Sequence, residues 1–132
     1  MDLDVRKTAL ILGRSRAVVG LVLIFLPGLA GRLWLGDRSP RTRALLRMVG
    51  VRDLILGVGA LTTVKEHTQD AEWVGMGGIA DAVDGFVTLT APGLPKRGRL
   101  VGPVALGSAV LAIKLSRDLA DERSAAATDT SA

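Results

Sequence analysis

The chain contains no cysteine, no tyrosine and a single histidine, His67. Without cysteine there is neither a disulfide nor a thiolate metal site, and the redox compartment leaves no trace in the sequence. One histidine is too few for a histidine-based metal centre. Aromatic residues are also scarce, with two Phe and two Trp, and the 17 Lys and Arg are scattered over several segments rather than gathered into one stripe. Such a chain offers few rings for base stacking, and nucleic acid is not an expected partner. The sequence also lacks an uncharged run of the roughly 18 residues that mark an unambiguous membrane span. Its longest, residues 17–31, has fifteen.

What is present still leans toward a membrane. The 132 residues form one domain by length, 48% of them are hydrophobic, and the formal charge of +4 suits segments that lie against anionic head groups. A soluble bundle of this size should show a Glu- and Lys-rich outer face on every helix, yet 54–64 and 100–113 carry no charge at all. The chain opens on Asp2 and Asp4, and no convincing small-residue cleavage site follows its first apolar run. That run reads as a retained anchor. The expected localisation is the cell membrane, multi-pass, with the lipid bilayer as the first partner.

Periodicity and punctuation predict an all-α fold of four transmembrane helices in one domain, 1–119, with helices at about 8–27, 44–64, 73–92 and 100–119. Pro27 and Gly28 end or kink the first, and Ser39 with Pro40 opens the second. Between them, 28–43 reads as interfacial: Trp34 is placed as an anchor and Arg32, Arg38, Arg41 and Arg43 can reach head groups. Trp73 is the expected anchor of the third helix. The tail, 120–132, is rich in Ala, Ser, Thr and Asp and is expected to be disordered. Basic residues divide almost evenly between the two sides, so the positive-inside rule leaves orientation undecided.

The third helix organises the rest. At about 3.6 residues per turn, Gly77, Asp81, Asp84, Gly85 and Thr88 share one small, polar stripe, while Ile79, Val83, Phe86 and Val87 lie mostly away from it. Each central Asp opposes insertion by about 2.5–3.5 kcal/mol, against about 0.3–0.6 kcal/mol gained per large apolar residue. The stripe therefore needs a protein partner. In the second helix, Gly50, Asp53 and Gly57 fall on one face, where small residues allow close contact around a buried acid. Gly75, Gly77 and Gly78 make a packing surface rather than a nucleotide loop, since no strand precedes them and no Lys-Ser/Thr follows. On the fourth helix Ala105, Ala109, Ala112 and Ser116 give another small face.

Sliding the chain against itself by 65 residues sets 13–54 over 78–119 with 15 identities in 42 positions, which suggests two tandem helical hairpins. Two copies of two spans would relate by a pseudo-two-fold axis along the membrane normal. The alignment sets Arg16 opposite Asp81, and Arg52, Asp53 and Leu54 over Arg117, Asp118 and Leu119. Residues paired near such an axis can meet directly. Arg16, Arg47, Arg52, Asp53, Asp81 and Asp84 are therefore expected to form a buried charge network, because each is costly to leave unpaired.

Asp81, Asp84 and Gly85 invite comparison with CDP-alcohol phosphotransferases, but the Ala-Arg that should follow Gly85 and the second acidic pair are missing, so a two-metal phosphoryl site is not expected. An Arg-rich entry, a helix ending in Pro27 and Gly28, an R-x-x-G-x-R-D helix (Arg47, Gly50, Arg52, Asp53) and an A-D-x-x-D helix (Ala80, Asp81, Asp84) resemble the small four-helix membrane proteins grouped with DoxX-like families. The resemblance covers 8–119 and implies a compact four-span bundle; it brings no catalytic residue to carry over. No catalytic, cofactor-binding or metal-ligating residue is expected, and no cofactor. The expected function is a non-enzymatic accessory or assembly subunit docking into a larger membrane complex or onto itself. The rival is a small homo-oligomeric transporter or channel in which Asp53, Asp81 and Asp84 pass a cation or proton.

Overall fold

A computed structural model describes residues 4–130. Those residues are almost wholly helical, with no strand among them. The elements are α1 (Val5–Phe25), α2 (Pro27–Ala30), a five-residue π-helical turn (Gly31–Leu35), α3 (Pro40–Glu66), α4 (Asp70–Thr90), α5 (Lys96–Arg99) and α6 (Val101–Thr130). Two stretches, Val5–Phe25 and Lys96–Asp129, are long and apolar enough to cross a membrane.

Local chemistry sets the ends of these helices. Asp4 caps α1 by accepting from the Lys7 amide at 3.1 Å. Ser39 caps α3 by accepting from the Thr42 amide, and Pro40 takes the first helical position. The Ser39 hydroxyl in turn donates to Asp37 at 2.7 Å, as does its amide at 3.0 Å, and Thr42 also donates to Asp37. Hydrogen bonds from Thr42 first and Ser39 next hold the Asp37 carboxyl down at about 2. The tight corner between α3 and α4 sets His67 and Gln69 in the left-handed region, at φ 56° and 48°.

The long helices pair as two hairpins, α1 on α3 and α4 on α6, and glycines set how close each pair comes. A Cβ on Gly20 would lie 2.6 Å from the Leu54 nitrogen and 2.7 Å from the Gly50 oxygen. On Gly85 it would lie 2.7 Å from Leu106 Cγ and 3.0 Å from the Gly102 oxygen. Likewise Gly13 meets Gly57 and Leu61, as Gly78 meets Ala109 and Ile113. These matched contacts relate α1 to α4 by the shift of 65, but α3 to α6 by a shift of 52. The expected overlay of Arg52, Asp53 and Leu54 on Arg117, Asp118 and Leu119 is thereby corrected. The connections differ: the first holds α2 and the π-helical turn, the second only the short α5.

One end of the bundle is closed. Ala9, Ala60, Val64, Ala71, Val74, Ala112, Leu115 and Leu119 form its core. Above it Asp70, 1% exposed, receives Arg6 at 3.0 Å and Arg123 at 2.6 Å, and Arg123 also reaches Glu72. Arg6 also pairs with Glu122. The expected disorder of 120–132 is corrected through Thr130, the last described residue of α6; residues 131–132 lie outside the described residues. Alanine-rich sequence favours helix, and the Arg123 and Glu122 ion pairs tie this last part of α6 to α4 and α1.

Candidate functional site

Three elements bring charges together at mid-length, and a fourth adds a hydroxyl. From α1, Arg16, 8% exposed, donates through Nη2 to the Gly77 oxygen at 2.9 Å and to Asp81 on α4. Its Nη1 lies 3.6 Å from Asp53 Oδ1, an ion pair without a hydrogen bond. From α3, Arg52 donates to Asp84 through Nη1 at 3.1 Å and again through Nη2, and it also reaches Asp53 at 3.0 Å. From α6, Ser108 donates to Asp81 at 2.5 Å. Arg16, Arg52 and Asp53 belong to the first hairpin, and Asp81, Asp84 and Ser108 to the second. The network is thus one polar bond between the hairpins, beside that of Arg6 with Asp70 and Glu122.

The glycines make room for it. A Cβ on Gly77 would lie 3.1 Å from Arg16 Nε, so glycine lets the guanidinium lie flat against α4. Gly50 and Gly57, with calculated Cβ approaches of 2.7 and 2.6 Å, bring α3 against α1 and so carry Asp53 to Arg16. On α4 Gly77, Gly78, Gly85 and Thr88 are buried, with Asp81 and Asp84 half-buried beside them, while Ile79, Val83, Phe86 and Val87 are exposed.

One expectation needs correcting. Arg47 does not join the network: it is exposed, and its Nε donates to the Ile24 oxygen at 3.3 Å. Trp73, expected as an interface anchor, is half-buried, its ring against Gly59 and the terminal core. Trp34 lies half-buried in the π-helical turn, its backbone against Gly98 and its Nε1 buried without a hydrogen-bond partner.

Beside the network, on the α1 and α6 side, opens a cavity of about 630 Å³. Ser15, Arg16, Asp53, Asp81, Asp84 and Ser108 are among its polar lining; Leu12, Val19, Leu23, Leu33, Val101 and Val104 are among its apolar walls. Arg97 stands at the end nearest α2, where its guanidinium donates to the Leu33 and Arg32 oxygens. Ser108 and the cavity were beyond the reach of sequence reasoning, because a lone serine on an apolar helix carries no signal. Gly20 was legible through its alignment with Gly85.

The Asp70 cluster is the second concentration of charge. Burial pushes the Asp70 carboxyl up, but hydrogen bonds from Arg123, the Ala71 amide and Arg6 outweigh it and leave it below the usual carboxylate range. Arg123 likewise holds Glu72 down, and the two carboxylates raise Arg123. No family model, curated protein or solved structure matches this chain.

Proposed function

We propose that this chain is a multi-pass protein of the cell membrane, a DoxX-like four-span bundle of two hairpins related by a pseudo-two-fold axis along the membrane normal. In this reading it serves as a non-enzymatic accessory or assembly subunit of a larger membrane complex. The observation that carries the reading is the pairing of Arg16 with Asp81 and Arg52 with Asp84 across the hairpins. Charges matched in this way favour a latch that fixes helix geometry over an acid–base site that must exchange protons with a substrate. α3 carries Arg52 and Asp53 and α4 carries Asp81 and Asp84, and partners within the bundle reduce the cost of placing them in lipid. Large apolar side chains turned outward all round, such as Phe25, Met48, Ile79 and Val110, suit lipid or a neighbouring subunit. The test is purification of the tagged chain from its native membrane in mild detergent, followed by native-mass analysis. A stoichiometric foreign subunit supports the reading, and a pure homo-oligomer overturns it.

One observation favours a second reading, a small homo-oligomeric transporter or channel: Asp53, Asp81 and Asp84 all line a cavity rather than being sealed in packed core. In that reading Asp81→Asn or Asp84→Asn abolishes cation or proton flux in liposomes while assembly survives. Loss of assembly with no flux in the parent protein returns the choice to the latch.

A further inference from the structure

The mid-length network does not balance. Three carboxylates, Asp53, Asp81 and Asp84, face two guanidinium groups, Arg16 and Arg52. With all five ionised, one negative charge is left over. The remaining polar group, Ser108, adds a hydrogen bond but no charge. Arg97 stands at the cavity's end with its donors turned to the Arg32 and Leu33 oxygens. Arg52 approaches Asp53 and Asp84 without lining the cavity, so both carboxylates stand between it and the open space.

We infer that the cavity binds an amphiphilic organic monocation, its charged head over Asp81 and Asp84 and its apolar body along the walls formed by Val19, Leu23, Val101 and Val104. Charge complementarity selects the head, since a surplus carboxylate in poorly solvated surroundings needs a counter-charge. The volume of about 630 Å³ is that of a small-molecule site, which also combines apolar walls with a few convergent polar groups. An anion of the same shape is repelled by the same floor. The inference deepens the transport reading by naming a substrate class, and rests on that reading only for the step from binding to passage.

The test uses the full-length protein in mild detergent with two probes of one shape and opposite charge, tetraphenylphosphonium and tetraphenylborate, and with empty micelles to subtract partitioning. Saturable binding of about one tetraphenylphosphonium per chain is expected, at least tenfold tighter than tetraphenylborate. Ala105→Phe, which fills the cavity without touching a charge, should weaken the phosphonium at least tenfold, and Asp84→Asn should do the same. If Asp84→Asn fails to fold, Ala105→Phe decides. Equal binding of the two ions, or unchanged affinity in Ala105→Phe, overturns the site. Uptake of tetraphenylphosphonium into liposomes separates the two claims. Binding without uptake keeps the site and removes transport; proton flux that depends on Asp81, without phosphonium binding, keeps transport and removes this substrate.

Discussion

Arg16 is held from two helices, by hydrogen bonds to the Gly77 oxygen and Asp81 on α4 and by an ion pair with Asp53 on α3, and its side chain is 7% exposed. Removing one partner of such a pair leaves the other charged and buried, at a cost of about 3–5 kcal/mol. Replacing both at once removes the penalty along with the attraction. Arg16→Met and Asp81→Leu are therefore each expected to destabilise the bundle strongly, and the double variant less than the sum of the two. A double-mutant cycle on unfolding in a graded detergent series measures this, and additive losses would rule the direct pairing out. Glycines give a second test at this scale. An Ala at Gly20 forces its Cβ against backbone atoms of α3 that cannot swing aside, whereas nothing lies within 4 Å of a Cβ on Gly107. Gly20→Ala is expected to cost about 1–3 kcal/mol, and Gly107→Ala to stabilise by about 0.5–1 kcal/mol. Equal melting shifts for the two would contradict the close crossing of α1 on α3.

At the scale of elements, the clamp on Asp70 ties the start of α1 and the last part of α6 to the start of α4. Its pH dependence follows from the lowered Asp70 carboxyl. A group whose value falls on folding contributes fully above its unfolded value, about 3.9 for Asp, and loses that contribution as pH falls through the lower folded value. The clamp should therefore hold at pH 6 and release below about pH 4. Protection factors of the α6 amides beyond Leu119, taken relative to the intrinsic exchange rate at each pH, should fall as pH drops below about 4, and Asp70→Asn should show the lower protection already at pH 6. Protection factors that stay unchanged between pH 6 and pH 3 in the parent chain would mean the ion pairs do not secure α6. Sequence reasoning missed this clamp because Arg6, Asp70 and Arg123 are far apart along the chain and none stands in a motif. It placed the four long helices well, since Ser39 with Pro40 and the apolar periods are local signals. The end of α6 was misread for a related reason: alanine and serine look like tail composition until Arg123 is given a partner on α4. The shift of 52 between α3 and α6 was hidden because an insertion in the first connection breaks the single shift of 65 that the alignment assumed.

At the scale of the molecule, the two hairpins are joined where the sequence alignment set Arg16 opposite Asp81, and that juxtaposition was legible because the shift of 65 aligns these two residues. The cavity was not legible, since it depends on how far α1 and α6 stand apart, which no periodicity encodes. Four spans would put both termini and the corner 67–69 on one side of the membrane, and the connections 26–39 and 91–100 on the other. The absence of cysteine in the natural chain makes this directly measurable, because any introduced thiol reports alone. Single cysteines at Thr68 and Ser124 should be labelled by a membrane-impermeant maleimide from the same face, and those at Arg38 and Arg99 from the opposite face. The even spread of basic residues leaves open which face is cytoplasmic, but not the grouping. If Thr68 and Arg38 react from the same face, α3 does not cross. The chain would then hold two spans, α1 and α6, and the α3–α4 corner with its buried carboxylates would have to lie at the surface of the bilayer. That placement would expose the apolar faces of α4 around Ile79, Val83 and Phe86 to water. The labelling pattern therefore decides whether the Arg16, Arg52 and Asp84 network sits in lipid, where its pairing is worth most, or beside water, where it is screened.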